Sequence, residues 1–180
     1  WKYEKAAGCR GFRSVAGVDE VGRGPLAGPV VAAAVVLPEG FDAEGVRDSK
    51  RLTERSREVV CERIMSEAIG VGVGIVAPEV IDDINILRAT CKAMKAALDD
   101  LSAAFDFVLV DGLSVSGFGV PSLAIVKGDN KSVSIAAASI VAKVTRDRIM
   151  VGLDAEYPDY GFASHKGYGS KAHLEALDRH

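Results

Sequence analysis

Four acidic residues sit where apolar stretches end or turn. Asp19 and Glu20 interrupt one such stretch, Asp111 closes residues 105–110, and Asp129 follows residues 122–126. A carboxylate inside or just after a buried strand needs compensation from a basic partner, backbone N–H groups or a metal ion. Singly, each has an ordinary explanation. Asp111-Gly112 reads as a turn, Asp129 as a helix cap, and Asp19-Glu20 as a solvated pair. Together they point elsewhere. If the strands bearing Asp19 and Asp111 are neighbours, their carboxylates meet at one end of a sheet and repel each other unless cations lie between them. An all-oxygen donor set suits Mg²⁺ or Mn²⁺. The three cysteines and three histidines do not cluster, so a zinc site is not expected. Hard divalent ions on carboxylates suit phosphoryl chemistry: two ions about 4 Å apart activate a water and stabilise the leaving oxygen of an in-line displacement. The sequence has no G-x-x-x-x-G-K-[ST] loop, which disfavours a nucleoside triphosphatase.

The elements that must position these groups are legible in outline. Residues 14–21 read as a strand, followed by a Gly22-Arg23-Gly24-Pro25 turn. The valine-rich run over 29–37 reads as a buried strand. Thr53 is a candidate N-cap for a helix to about residue 67. Val71, Val73 and Ile75 alternate with glycines, which predicts a third strand with close backbone approach or an edge position. Pro78 opens a short helical turn. Ile84, Leu87, Cys91, Met94, Leu98 and Leu101 then form one apolar helical stripe, expected to face the core. Strands over 105–110 and 122–126 follow, then a long helix over about 133–153, and a terminal helix from near Ser170. Strands close in sequence suit antiparallel pairing, and later strands separated by helices suit parallel pairing. The expected fold is α/β: a mixed sheet with helices on both faces.

Composition constrains the partners. The chain has 180 residues, 48% hydrophobic and 26% charged, enough for one domain with a substantial core. Its net charge of −3 argues against holding nucleic acid by bulk positive charge, so any such contact must be local or aided by bound metal. The longest apolar run is too short to span a bilayer, and no signal region opens the sequence. The odd, scattered cysteines suit a reducing compartment. A cytoplasmic monomer without membrane partners is expected.

The motifs also resemble a known family. Residues 16–25, Ala-Gly-Val-Asp-Glu-Val-Gly-Arg-Gly-Pro, are similar to the opening signature of bacterial ribonuclease HII. The resemblance continues through Asp48-Ser49-Lys50, Asn85-Ile86-Leu87, Asp111-Gly112, Lys127-Gly128-Asp129, residues 137–147, Tyr160-Gly161-Phe162 and His165-Lys166-Gly167-Tyr168, in family order. It implies an RNase H-like mixed five-stranded sheet flanked by helices, with an additional C-terminal helix. It implies that Asp19, Glu20, Asp111 and Asp129 are the catalytic, metal-binding carboxylates. It also implies hydrolysis of the RNA strand in RNA–DNA hybrids, and incision at single ribonucleotides in duplex DNA, leaving 5′-phosphate and 3′-hydroxyl ends.

By the same resemblance, Gly22, Arg23, Gly24 and Tyr168 read the junction between ribonucleotide and deoxyribonucleotide. Two glycines let backbone approach the sugar, and the 2′-hydroxyl separates RNA from DNA. Lys50, Lys143, Arg146 and Lys166 are candidate phosphate contacts; as ordinary surface charges they would need no such role. The related ribonuclease HIII group lacks the arginine at position 23 and carries an extra N-terminal domain. The family continues with a basic C-terminal segment, so residues 1–180 are expected to form one catalytic domain without that tail, where a sliding-clamp tether would be sought. Two other readings stand beside this one. A different carboxylate-rich nuclease would not need the Gly22-Arg23-Gly24 loop and the distant tyrosine. A non-catalytic binding module would gain nothing from four carboxylates facing phosphates.

Overall fold

The computed structural model describes residues 1–46, 52–112 and 115–180. The Asp48-Ser49-Lys50 motif, and with it the candidate phosphate contact Lys50, lies outside the described residues. Five strands form one mixed sheet: β1 (Val15–Val21), β2 (Val30–Val36), β3 (Gly70–Val76), β4 (Phe107–Asp111) and β5 (Ser122–Ile125). Their order is β3-β2-β1-β4-β5. β1 pairs antiparallel with β2, and β2 with β3, while β4 runs parallel to both β1 and β5. The pairing expected from connection length is therefore the pairing found. β2 is buried along its whole length, as its unbroken Val/Ala run requires of a strand covered on both faces.

One face carries α4 (Ile86–Asp100), preceded by the short α3 (Pro78–Ile84). The other carries α2 (Glu54–Glu67) and the long α5 (Val133–Glu156). The chain closes with α6 (Phe162–His165) and α7 (Lys171–Arg179). Thr53 caps α2 by accepting from the Ser56 N–H. No helix of the described residues is long and apolar enough to cross a membrane.

Two details depart from the sequence expectations. The apolar stripe largely faces the core as expected, with Met94, Leu98 and Leu101 buried and Ile84 and Cys91 packed against the same cluster, but Leu87 is exposed and Ala89, Thr90, Ala93 and Ala97 widen the buried face of α4. The reason is close packing on β3. A Cβ at Gly72 would come within 2.2 Å of the Ala97 carbonyl oxygen, and one at Gly74 within 2.0 Å of the Ala93 oxygen. Small residues on both sides let the backbones touch, so alanines line the part of α4 that lies directly on β3. The second departure is an unanticipated N-terminal helix, α1 (Lys2–Cys9), whose buried Glu4 reaches the start of α5.

Candidate active site

Parallel register brings the acidic residues to one edge. Val18 on β1 pairs with Val110 on β4, so Asp19 and Asp111 each follow at the same strand end. Asp111 in turn pairs with Ile125 on β5, and the chain then passes through Lys127 into a single 3₁₀ turn, Gly128–Asn130, that carries Asp129. Ligand sites of α/β sheets gather outside the carboxyl ends of parallel strands. Three segments distant in sequence thus supply four carboxylates at that edge.

Each carboxylate has distinct partners. Asp19 is 5% exposed. It accepts from the Glu20 N–H at 2.8 Å and from the Ser139 hydroxyl on α5. Burial nevertheless pushes its pKa well above the ordinary aspartate value, and the negative charges of Glu20 and Asp111 add to that push. Glu20 is raised as well, by burial first and by Asp111, against the pull of the Arg23 guanidinium 3.1 Å from Oε1. Its second oxygen, Oε2, is buried and accepts no hydrogen bond from the described residues. Asp111 Oδ1 accepts from the Gly128 N–H at 2.5 Å, which ties it to the turn bearing Asp129. Asp129 is buried, and its Oδ1 accepts from the Asn130 side-chain amide at 2.9 Å.

These residues fit a hard divalent cation in donor chemistry. All are oxygen ligands, two are costly to ionise as they stand, and one buried carboxylate oxygen accepts no hydrogen bond from the described residues. The cage expected from the sequence is not pre-formed: among the described residues, no group of three or more His, Cys, Asp or Glu side chains is already gathered as a metal-binding set. Uncompensated carboxylates repel, and Arg23 occupies one Glu20 oxygen.

Beside this edge stand the residues expected to read the sugar. A Cβ on Gly24 would lie 3.8 Å from the Tyr168 ring. Tyr168 is 42% exposed, with the Lys143 ammonium 5.8 Å and the Arg146 guanidinium 6.0 Å from its ring centre. The Tyr168 carbonyl is bound by His173 Nδ1 at 2.9 Å, and His173 stacks on His165.

The expected phosphate contacts fare differently. Lys143 is partly exposed but its ammonium bonds Asp147 Oδ1 at 2.7 Å. Lys166 is largely buried, with its ammonium on the Ala163 carbonyl and 3.8 Å from Glu54. Arg146 is 0% exposed, and three of its nitrogens bond backbone carbonyls. A group so placed is not at the surface that a phosphate would meet.

Ser139 and His173 were not singled out in the sequence. Ser139 had a signal: Ser139, Lys143, Arg146 and Met150 recur at steps of four, three and four on α5, one face of a helix. His173 had none, because its partners come from a different segment.

Cavities do not mark this site strongly. One of about 200 Å³ reaches Asp129, Asn130 and Lys131. A larger one, about 710 Å³, opens at the other end of β1 between Trp1, Glu4, Phe12, Leu37 and Ile69.

A mixed five-stranded sheet with acidic residues at the ends of its parallel strands has the architecture of the RNase H-like nucleases. The family model described as Ribonuclease HII matches residues 16–180, and the chain belongs to that family. A curated ribonuclease HII from Acetivibrio thermocellus is 56% identical over 178 residues, covering 99% of this chain and 70% of that protein. The crystal structure of ribonuclease H2 from Pyrococcus horikoshii superposes with a TM-score of 0.79 at 31% identity, covering 92% of this chain and 85% of that one. The RNase HII in a PCNA complex from Archaeoglobus fulgidus gives 0.74 at 30% identity, covering 93% and 88%. Family membership makes this chain a hydrolytic endoribonuclease of a class that uses divalent metal ions.

Proposed function

We propose that this chain hydrolyses the RNA strand of RNA–DNA hybrids and cuts on the 5′ side of single ribonucleotides embedded in duplex DNA, leaving 5′-phosphate and 3′-hydroxyl ends. The observation that carries the reading is the acidic edge itself. Asp111 adds to the raised pKa of both Asp19 and Glu20, and the buried Glu20 Oε2 accepts no hydrogen bond from the described residues. Asp19, Glu20, Asp111 and Asp129 would hold Mg²⁺ or Mn²⁺, which when bound would supply an activated water and neutralise charge on the leaving oxygen.

The chain's own residues prepare for this. The Ser139 hydroxyl and the Glu20 N–H orient Asp19, and the Gly128 N–H orients Asp111. Arg23 neutralises Glu20 in the meantime and, as a partly exposed cation, is available to a backbone phosphate. Gly22 and Gly24 let main-chain N–H groups approach the ribose 2′-hydroxyl. The exposed Tyr168 ring offers a face to the neighbouring deoxyribose, where an added hydroxyl would clash. The same reading takes the enzyme as a cytoplasmic monomer. The Archaeoglobus relative was solved with PCNA; a sliding clamp is a candidate partner here, tested by co-elution.

The direct test offers a DNA duplex with one ribonucleotide, an all-DNA duplex and an RNA–DNA hybrid, with Mg²⁺ or Mn²⁺ and with chelator. Cutting of the first and third alone, abolished by chelator, is expected. Equal cutting of both duplexes, or none by folded protein, would overturn the proposal.

A further inference from the structure

Arg146 lies at the crossing of two segments that approach from opposite directions. Its Nε donates to the Pro29 carbonyl at 2.9 Å and its Nη2 to Ala27 at 2.9 Å, at the end of the loop that begins with Gly22. Its Nη1 donates to the Lys166 carbonyl at 2.8 Å, two residues before Tyr168. The two segments also touch directly, since the Leu26 N–H donates to the Gly167 carbonyl at 2.9 Å. The junction is too tight for side chains. A Cβ on Gly22 would come within 2.8 Å of Arg146 Nε, and one on Gly167 within 2.3 Å of the Ala27 carbonyl oxygen. Both glycines hold positive φ, +107° and +82°.

A fully buried guanidinium is costly to desolvate, and burial pulls the Arg146 pKa down. A planar fork with several fixed donors can hold three carbonyls at set positions, which a lysine ammonium on a flexible stem does not reproduce. Met150, one turn further along α5, fills the space behind, 2.3 Å from where a Gly28 Cβ would stand.

We propose that Arg146 is a positioning residue that never touches substrate: from inside the protein it fastens the Gly22-Arg23-Gly24 loop to the Tyr168 segment, so that the two halves of the 2′-hydroxyl reader are set before substrate arrives. This rests on the functional reading above and deepens it. A phosphate contact contributes affinity and its loss raises KM. A fastener sets the geometry of the reacting sugar, so its loss falls on kcat.

The test uses Arg146→Lys, which keeps the charge but not the fork. Amide hydrogen exchange in residues 22–30 and 166–168 is expected to rise at least tenfold. On the single-ribonucleotide duplex, kcat should fall at least tenfold with KM within about threefold of the wild type. Wild-type exchange rates in those segments, or a raised KM with kcat intact, would overturn the proposal. If Arg146→Lys does not fold, Gly167→Ala strains the same junction with Arg146 in place. It should loosen residues 26–29 and lower kcat in the same way, and unchanged exchange there would count against the fastener. Should the wild-type protein cut no ribonucleotide substrate, the functional reading fails, while the exchange measurement still decides the role of Arg146.

Discussion

Two buried carboxylates meet α5 in this protein, and they have opposite fates. Glu4 on α1 reaches the beginning of the helix, where its Oε1 accepts from the Ser132 hydroxyl at 2.5 Å and from the Ser134 N–H at 3.0 Å. Burial alone would raise its pKa, but these bonds hold it below the ordinary glutamate value. Asp19 meets the same helix at Ser139. It too accepts two hydrogen bonds, yet it stays well above the aspartate range because it is more deeply buried and faces Glu20 and Asp111. Burial is common to both; the neighbours decide. At α1 the donors on Oε1 stabilise the charge, although Oε2 accepts no hydrogen bond from the described residues, and the residue fastens one helix to another. At the sheet edge Glu20 and Asp111 add like charge to that of Asp19, which opposes its ionisation. That contrast sets a structural carboxylate apart from one proposed to act in chemistry.

Asp19→Asn should break the comparison most sharply. Cleavage of the single-ribonucleotide duplex is expected to fall on the order of a thousandfold or more, since a ligand for the proposed ions is lost while the amide keeps the shape. Stability should move the other way. A carboxylate whose folded pKa is raised contributes fully below its unfolded pKa and loses that contribution as pH rises through the folded value. At neutral pH, where the unfolded carboxylate is ionised, Asp19 therefore opposes folding, and asparagine removes that cost. The melting temperature in metal-free buffer should hold or rise. A large fall would make Asp19 a structural residue like Glu4.

Ser139→Ala sits between the two cases. It removes one donor to Asp19 and leaves the packing of α5 intact. One hydrogen bond to a charged group corresponds to about tenfold. The half-saturating Mg²⁺ concentration should rise by roughly that factor, with melting temperature nearly unchanged. Unchanged metal dependence would remove Ser139 from the site.

How much of this was legible in the sequence follows the same division. The strands, their pairing and the placing of Asp19 and Asp111 at one edge follow from apolar runs and connection lengths, because backbone hydrogen bonding and burial are written locally. The four carboxylates could be picked out because a charge ending an apolar strand contradicts its surroundings. The alanine contribution to the buried face of α4 was hidden, because the glycines of β3 that demand alanine opposite belong to another element. Arg146 was misjudged for a related reason. Three residues from Lys143 on a helix, it reads as a surface cation, and only the carbonyls of Ala27, Pro29 and Lys166 turn it inward. Glu4 looks like any acidic residue on a short polar helix. Its function depends on Ser132 and Ser134, more than a hundred residues away in the chain.

Glu4→Gln has the smallest expected effect on catalysis and tests the structural half of the contrast. The amide still fills the space and its oxygen can still accept, but the charge at the start of α5 is gone. Hydrogen bonds to a charged group exceed those to a neutral one, so stability at neutral pH should fall by roughly 1–3 kcal/mol. Cleavage by the folded fraction should stay within about twofold. The pH dependence fixes the cause. The folded pKa of Glu4 lies below its ordinary value of 4.5, so its contribution is present above that value and is lost as pH falls from there through the folded pKa. Wild-type stability should therefore decline over that acid range more steeply than that of Glu4→Gln, and the two curves should converge at its lower end. A constant gap between them at every pH would mean that the glutamine simply packs worse, and that the charge at the helix start contributes nothing.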